Sequence, residues 1–398
     1  MRPAKRMEIR LPLRRLALLG GALLALMGMP AAAQESPGVE ATRILFGQSA
    51  ALTGPASALG QEMRLGLLAA FAEVNRAGGI NGRQLELVSY DDAYEPETAI
   101  ENTLKLINQE RVFALIGEVG TPTSAAAQPL AEAASVPFIG AFTGAEFLRN
   151  PDHATVVNVR ASYYQETEQI VDWLVRDRGA ERIAVLYQDD TYGRAGLSGV
   201  RLALDRRGMT LAGEGAYQRN TSAVKRALLT IRNSLPEAIV IIGAYEPSAS
   251  FIRWARKLGM ESTIVNVSFV GTNALVDALG PDGAGTFISQ VVPPPDSDDL
   301  PLTAEYRASL AAFAPTAPLS FVSLEGYLVG RLTARILEQT SEPLNRQGFL
   351  RALQETRLFD VGGFGMEYGP LDNQGSDKVF LTEIDEGGQV VPVTRGGP

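Results

Sequence analysis

Two short stretches carry the hydroxyl groups most able to hold a ligand. Thr121, Thr123 and Ser124 stand where the turn cluster Gly117–Pro122 passes into a predicted helix, Thr121–Glu132, and Ala141, Phe142 and Thr143 follow Gly140 about twenty residues later. Hydroxyls and free backbone N–H groups at the start of a helix make a neutral cradle for an anion, because the unpaired N–H groups and the helix dipole both favour negative charge. Glu118 lies in the first of these turns and is the acid best placed to add a charge. On turn chemistry alone, the same residues would serve as ordinary caps.

Catalytic apparatus is sparse. The 398 residues include no cysteine, which removes disulfides, thiol nucleophiles and thiolate metal sites. His153 is the only histidine and sits in the polar run Arg149-Asn150-Pro151-Asp152-His153, where a solvated ring is expected. No Gly-x-Ser-x-Gly, phosphate-binding or dinucleotide-binding string occurs. Asp91 and Asp92 are adjacent but have no further metal ligand nearby in sequence, so turn hydrogen bonding accounts for them better than a metal does. No cofactor and no metal are expected, and binding without catalysis is favoured. A hydrolase relying on an acid such as Glu118 is the enzymatic alternative.

The elements that position these turns alternate regularly. Arg43–Gln48 is a predicted strand, Ala58–Asn75 a helix, Gln84–Tyr90 a strand, and a helix follows from Glu95 to about Asn108. Phe113–Ile116, a helix from Thr121, and Val136–Ile139 complete a first α/β half. After Val156–Val159 the rhythm restarts. Helices are predicted at Tyr163–Arg178, Tyr192–Arg207, Ser222–Asn233 and Pro247–Leu258, between strands at Ile183–Tyr187, Leu211–Tyr217, Ala238–Ile242, Ile264–Val267 and Thr286–Val291. Helices at Thr303–Phe313 and Leu319–Gln339 and three late strands end the chain. This pattern predicts two doubly wound parallel-sheet lobes joined by several crossings. The expected division is residues 42–160 with 292–342 in one lobe and 161–291 with 343–398 in the other. In such sheets, ligands bind at the carboxyl ends of strands.

Compartment and partners follow from the start of the chain and its charge. Arg2, Lys5, Arg6, Arg10, Arg14 and Arg15 precede an apolar run, Leu16–Met29, and the small residues Ala31-Ala32-Ala33. This is the layout of a secretory signal peptide cleaved near Ala33, and the run is shorter than the ~20 residues a membrane span needs. The net charge is −9 even with those six bases included, which argues against nucleic acid or anionic lipid as a partner. A periplasmic, unanchored monomer is expected.

With the turns assigned, the chain resembles the periplasmic binding proteins of the branched-chain amino-acid type that serve ABC importers. The resemblance is carried by Leu52-Thr53-Gly54-Pro55, Gly78-Gly79-Ile80-Asn81-Gly82 and Tyr90-Asp91-Asp92-Ala93-Tyr94-Glu95-Pro96. Tyr187-Gln188-Asp189-Asp190 with Tyr192-Gly193, and Gly243-Ala244-Tyr245, extend it over nearly all of residues 42–398. It implies a type I periplasmic binding fold in which a ligand is held by Thr121 and Ala141, Phe142 and Thr143 of the first lobe. Tyr192 and Tyr245 of the second lobe would close over it, with Tyr163, Phe269 and Leu59 completing the walls. The implied partner is an inner-membrane permease, or alternatively a membrane sensor kinase, and the implied guest is amino acid-like, carboxylate-bearing or largely apolar, up to a larger lipid-like molecule. Three departures stand out. Tyr94 and Gly120 occupy places where leucine-binding members carry a disulfide, Leu59 replaces an aromatic wall, and the run Asn266–Val270 lacks the acid that pairs with a ligand ammonium. Glu118, Asp190 and Glu246 are the candidate replacements for that acid.

Overall fold

The computed structural model describes residues 36–393 and, before them, residue 3 alone. The signal-peptide segment therefore lies outside the described residues. Within them, no helix is long and apolar enough to cross a membrane.

The first sheet has the order β2-β1-β3-β4-β5, built from β1 (Arg43–Ala50), β2 (Gln84–Asp91), β3 (Ala114–Ile116), β4 (Phe138–Ile139) and β5 (Val156–Val157). Every pairing in it is parallel, as the alternation with α1 (Ser57–Arg76), α2 (Pro96–Asn108) and α3 (Thr121–Ala133) requires. The strands shorten from β1 to β5, so β3 and β4 end early and hand over to the two hydroxyl-bearing turns.

The second sheet receives β6 (Ile183–Gln188), β7 (Gly213–Tyr217), β8 (Ala238–Ile242), β9 (Thr263–Asn266) and β10 (Thr286–Gln290), with α4 (Tyr163–Arg176), α5 (Thr191–Asp205), α6 (Lys225–Asn233), α7 (Tyr245–Lys257) and α8 (Thr272–Leu279) between or before them. The continuous apolar run of β8, Ala-Ile-Val-Ile-Ile, is wholly buried, as befits a strand covered on both faces. The chain then returns to the first sheet. Here α9 (Pro301–Phe313) and α10 (Phe321–Gln339) pack on α1. The approach of α1 and α10 is backbone to backbone: a Cβ on Gly66 would lie 1.9 Å from the Ser323 carbonyl oxygen, and one on Gly326 would lie 2.3 Å from that of Met63.

Two elements absent from the sequence prediction follow, α11 (Arg346–Thr356) and β11 (Leu358–Val361), the latter paired antiparallel with β12 (Phe364–Glu367). Both fall within residues 343–398. Arg346 donates to the carbonyls of Val112 and Phe113, Phe349 meets Phe113 edge to face at 5.7 Å, and Leu302 N–H donates to Gly362. These contacts tie α11 and the hairpin to the first sheet. Only β13 (Phe380–Ile384) and β14 (Val390–Pro392) rejoin the second, antiparallel at its edge, giving the order β14-β13-β10-β9-β8-β6-β7.

The chain thus passes between the sheets through the segments 158–162, 291–300 and 368–379. Two of these passages pair side by side. Asn158 bridges Gln374, and the Tyr368 hydroxyl donates to the Asn158 carbonyl at 2.9 Å. Paired crossings define a hinge axis, whereas a single tether would leave the lobes free to wander.

Candidate functional site

The first wall of the site is built at the ends of β3 and β4. Val119 bridges Phe142 in parallel register, which sets the two turns side by side. The Thr121 and Thr143 hydroxyls then lie 2.6 Å apart, and Thr143 also accepts from the Ala145 N–H at 3.2 Å. Gly120 makes the turn possible: its φ is +102°, and a Cβ there would lie 2.1 Å from the Tyr94 ring. Tyr94 therefore fills the space beside Gly120. Asp91 and Asp92 hold their turns as expected, Asp91 accepting from the N–H groups of Leu52, Thr53 and Ala93, and Asp92 from Ser49 and Tyr94.

The second wall comes from helix starts. Tyr163 opens α4, where Ser162 and Gln165 form a reciprocal capping box. Tyr192 lies in the first turn of α5, capped by Asp190. Phe269 sits in the short turn after β9. The rings converge: Tyr163 and Tyr192 are 5.4 Å apart, Tyr192 and Phe269 4.6 Å, Phe142 and Phe269 5.4 Å, and Tyr94 and Phe269 6.0 Å. Phe142 and Tyr94 belong to the first lobe, the others to the second or its approach, so this cluster spans the interface. The Tyr163 hydroxyl comes within 3.4 Å of Thr143. Leu59, at the start of α1, touches Gly271 so closely that a Cβ on Gly271 would lie 2.4 Å from its Cδ2.

Of the sequence-predicted residues, Thr121, Phe142, Thr143, Tyr163, Tyr192 and Phe269 meet in this one cluster, each 0–1% exposed. Ala141 is buried in the same turn as Phe142. Glu118 and Leu59 lie outside the ring contacts, and so does Tyr245. It is buried at the start of α7 but makes no ring contact with the cluster among the described residues. It lies beside a pocket of about 330 Å³ that opens between Pro55 and Ala56 of the first lobe and Gln188, Asn220, Ala244 and Glu246 of the second.

The three candidate acids have distinct positions. Glu118 is fully buried, accepts from the Ser49 N–H at 3.2 Å, and is pushed well above the usual carboxylate range by burial and by nearby Asp92. Asp190 is an N-cap, accepting from Tyr192 and Gly193 N–H groups and from Gln188, with Arg219 3.6 Å away. Glu246 is exposed in the first turn of α7. His153 is not a bystander in solvent: it is half-buried, and its Nδ1 lies 2.9 Å from Glu132.

Sequence reasoning missed the charged groups behind the site. Arg160, buried in the crossing after β5, lies 4.9 Å over the Phe142 ring and pairs with Glu166 at 3.1 Å, with Glu325 at 3.6 Å and with Ser268. Glu166 also accepts from the Ser268 N–H and the Ser289 hydroxyl. No periodicity marks Arg160, because it lies in a crossing with neither helical nor strand spacing. At the cleft mouth, Arg219 and Asn220 donate to Glu95 at 2.6 and 2.7 Å.

The sequence profile of the periplasmic binding protein family matches residues 44–389. Among solved structures, the chain is similar to a possible leucine/isoleucine/valine-binding protein from Rhodopirellula baltica SH 1, with 39% identity, a TM-score of 0.85 and coverage of 89% of this chain and 97% of that one. It is 26% identical over 242 residues to an amino acid binding protein of Pseudomonas aeruginosa, spanning 63% of that relative's length and 60% of its own. It is 23% identical to the Leu/Ile/Val-binding protein BraC3 of Rhizobium johnstonii, over 86% of this chain and 92% of that one. Two parallel-sheet lobes, crossings paired into a hinge and a profile match over nearly the whole described chain agree: this chain belongs to the periplasmic binding protein family and has its type I fold.

Proposed function

We propose that this protein is a periplasmic receptor that captures a small organic molecule between its lobes and presents the closed complex to an ABC-type importer, without changing a bond in the guest. The observation that carries the reading is the cluster itself. Hydroxyls from two first-lobe turns and rings from both lobes meet where the sheets face each other, and all are closed off from solvent. Groups so enclosed become available to a guest only when the lobes part, and a guest that bridges both walls favours the closed state by its differential affinity for it. The relatives named above are binding proteins, which supports capture over catalysis.

The test is a thermal-shift screen across aliphatic and aromatic amino acids, the corresponding carboxylic acids, amides, sugars and fatty acids. A guest at 100 times its Kd adds about 2.7 kcal/mol of stability, a shift of several degrees that is easily read. If no compound of any class raises the melting temperature, the receptor reading fails. Turnover of an ester or amide by the purified protein would restore the hydrolase alternative.

A further inference from the structure

Away from the ring cluster, a second meeting place of the lobes brings acids together. Leu59 and Glu62 stand three residues apart on α1 and so share one face of that helix. Leu59 presses on Gly271 of the second lobe. One turn further along, Glu62 lines a groove of about 400 Å³ with Asn273, Val276 and Asp277 of the second lobe's α8. The lobes touch here too, since the Asn273 side chain donates to the Leu319 carbonyl of the first lobe at 2.8 Å. Leu319, Phe321 and Val390 complete an apolar wall.

Among the described residues, the one hydrogen bond to the Glu62 carboxylate comes from the Ser320 hydroxyl, at 2.7 Å. The titratable groups that face it are acids and one phenol. Asp277 stands across the groove and Asp296 at its edge, with Asp385 and Glu386 beyond Asp277 in the adjoining pocket. Tyr306 of α9 feels the Glu62 charge, but its hydroxyl bonds Ser323. The nearby cations are turned elsewhere. Arg307 of α9 is held by Asp298 and by the Pro295 and Ser297 carbonyls, and Arg64 is exposed on another face of α1. No Lys or Arg lines the groove or the adjoining pocket, and Glu325 of α10 faces Arg160 instead.

A carboxylate drawn out of water and set opposite a like charge, with no cation beside it, favours its neutral form on both counts. Burial raises the Glu62 pKa to about 7, with the Ser320 hydrogen bond working against it and Asp277 adding to it. Much of this enclosure belongs to the second lobe. When the lobes part, α8 and the 388–390 turn leave with that lobe, and Glu62 returns to water and to an ordinary pKa of about 4.3. The closed state therefore binds more protons between these values. Its advantage is present at low pH and is lost as pH rises through about 7.

Resting on the reading that the lobes part and close, we propose that closure is proton-linked: the Glu62 carboxyl of α1, facing Asp277 of α8 across the groove, takes up one proton as the lobes meet, so acid favours capture and alkali favours release.

Single-molecule fluorescence transfer on the guest-free protein tests this. The chain has no cysteine, so Leu104→Cys on α2 and Leu229→Cys on α6, both exposed and one on each lobe, take a donor and an acceptor dye cleanly. The ratio of closed to open molecules should fall by roughly 10-fold between pH 6 and pH 8, as a single site with a closed-state pKa of about 7 requires. In the same labelled protein, Glu62→Gln should change that ratio by less than about 2-fold over the range, and Asp277→Asn should move the midpoint to lower pH. A wild-type ratio constant to within about 2-fold, or a Glu62→Gln profile as steep as wild type, overturns the proposal. A midpoint unmoved by Asp277→Asn overturns the pairing across the groove. Where Glu62→Gln does not fold by circular dichroism, the wild-type and Asp277→Asn profiles decide. Because no guest enters the experiment, a flat profile leaves the receptor reading standing, and a failed ligand screen leaves a pH-dependent profile standing.

Discussion

Thr143 shows how much a single residue in this site must do. Its hydroxyl bonds Thr121, accepts from the Ala145 N–H and lies near the Tyr163 hydroxyl, all within buried surroundings. Thr143→Val keeps the shape but leaves the Ala145 N–H and the Thr121 hydroxyl without that partner. A buried polar group left unpaired costs about 1–3 kcal/mol, so the unliganded protein should melt several degrees lower and bind its guest more weakly, as melting curves and calorimetry would show. Equal stability of variant and wild type would mean that the turn rearranges freely. Glu62 gives a second residue-level prediction. It lines a groove of about 400 Å³ between α1 and α8 with Asp277, and burial, opposed by the Ser320 hydroxyl and reinforced by Asp277, raises its pKa to about 7. The unfolded chain releases that proton near the ordinary value of about 4.3. The folded state therefore binds more protons between these values, and Glu62's contribution is full below about 4.3 and is lost as pH rises through about 7. Glu62→Gln should gain in melting temperature relative to wild type between pH 5 and 8, and a constant difference would refute the shift. The hydroxyls and rings of the site were legible in the sequence because they stand at strand ends and helix starts, where periodicity fixes their place. Arg160 and the inward turn of Tyr94 were not. Tyr94 faces the rings because it and Ala93 adopt φ of +63° and +50°, a backbone choice that no propensity announces.

Among the elements, the strands and helices of both sheets were readable from the alternation of buried runs and amphipathic stretches. α11 escaped because only Phe349, Ala352 and Leu353 carry its buried face, and its place on the first sheet depends on Arg346 reaching two carbonyls more than two hundred residues away. Contacts of that range are set by the assembled fold and leave no local trace. The same holds for the contact between α1 and the loop before α8. Gly271 has φ +77° and presses on Leu59 across the lobes, so Gly271→Ala adds two separable costs. The backbone cost is present whether the lobes are open or closed. The clash with Leu59 exists only when they are closed, and overpacking of this kind costs about 1–3 kcal/mol before relaxation. Gly271→Ala should therefore weaken guest binding by about 5-fold or more, and adding Leu59→Ala should restore affinity relative to Leu59→Ala alone. Additive losses in that double-mutant cycle would show that the two residues do not meet in the bound state.

At the scale of the whole molecule, closure involves two kinds of contact. The rings bury apolar area at the centre, while Glu95 receives Arg219 and Asn220 at the rim. Asn220 also donates to the Ala93 carbonyl at 3.2 Å, and Arg219 lies 6.0 Å over the Tyr94 ring, so the rim contact and the ring cluster share one first-lobe turn. Every member on the first lobe comes from residues 93–95 and every partner from residues 219–220, so the clasp breaks whenever the lobes part. Glu95 is partly exposed, and an ion pair in that setting is worth about 0.2–1 kcal/mol. Because it is present in only one of the two states, that free energy acts on the open–closed equilibrium and leaves the stability of each lobe unchanged. Glu95→Gln should raise the Kd of any guest by roughly 1.5- to 5-fold at low salt, mainly through faster release. It should also enlarge the radius of gyration of the unliganded protein in small-angle scattering. Salt screens exposed charges over about 10 Å at 0.1 M and far less at 1 M, so the affinity gap between wild type and Glu95→Gln should narrow as salt rises. A gap indifferent to salt, or a variant as compact and as tight-binding as wild type, would show that the rings alone hold the lobes together and that the rim pair merely follows.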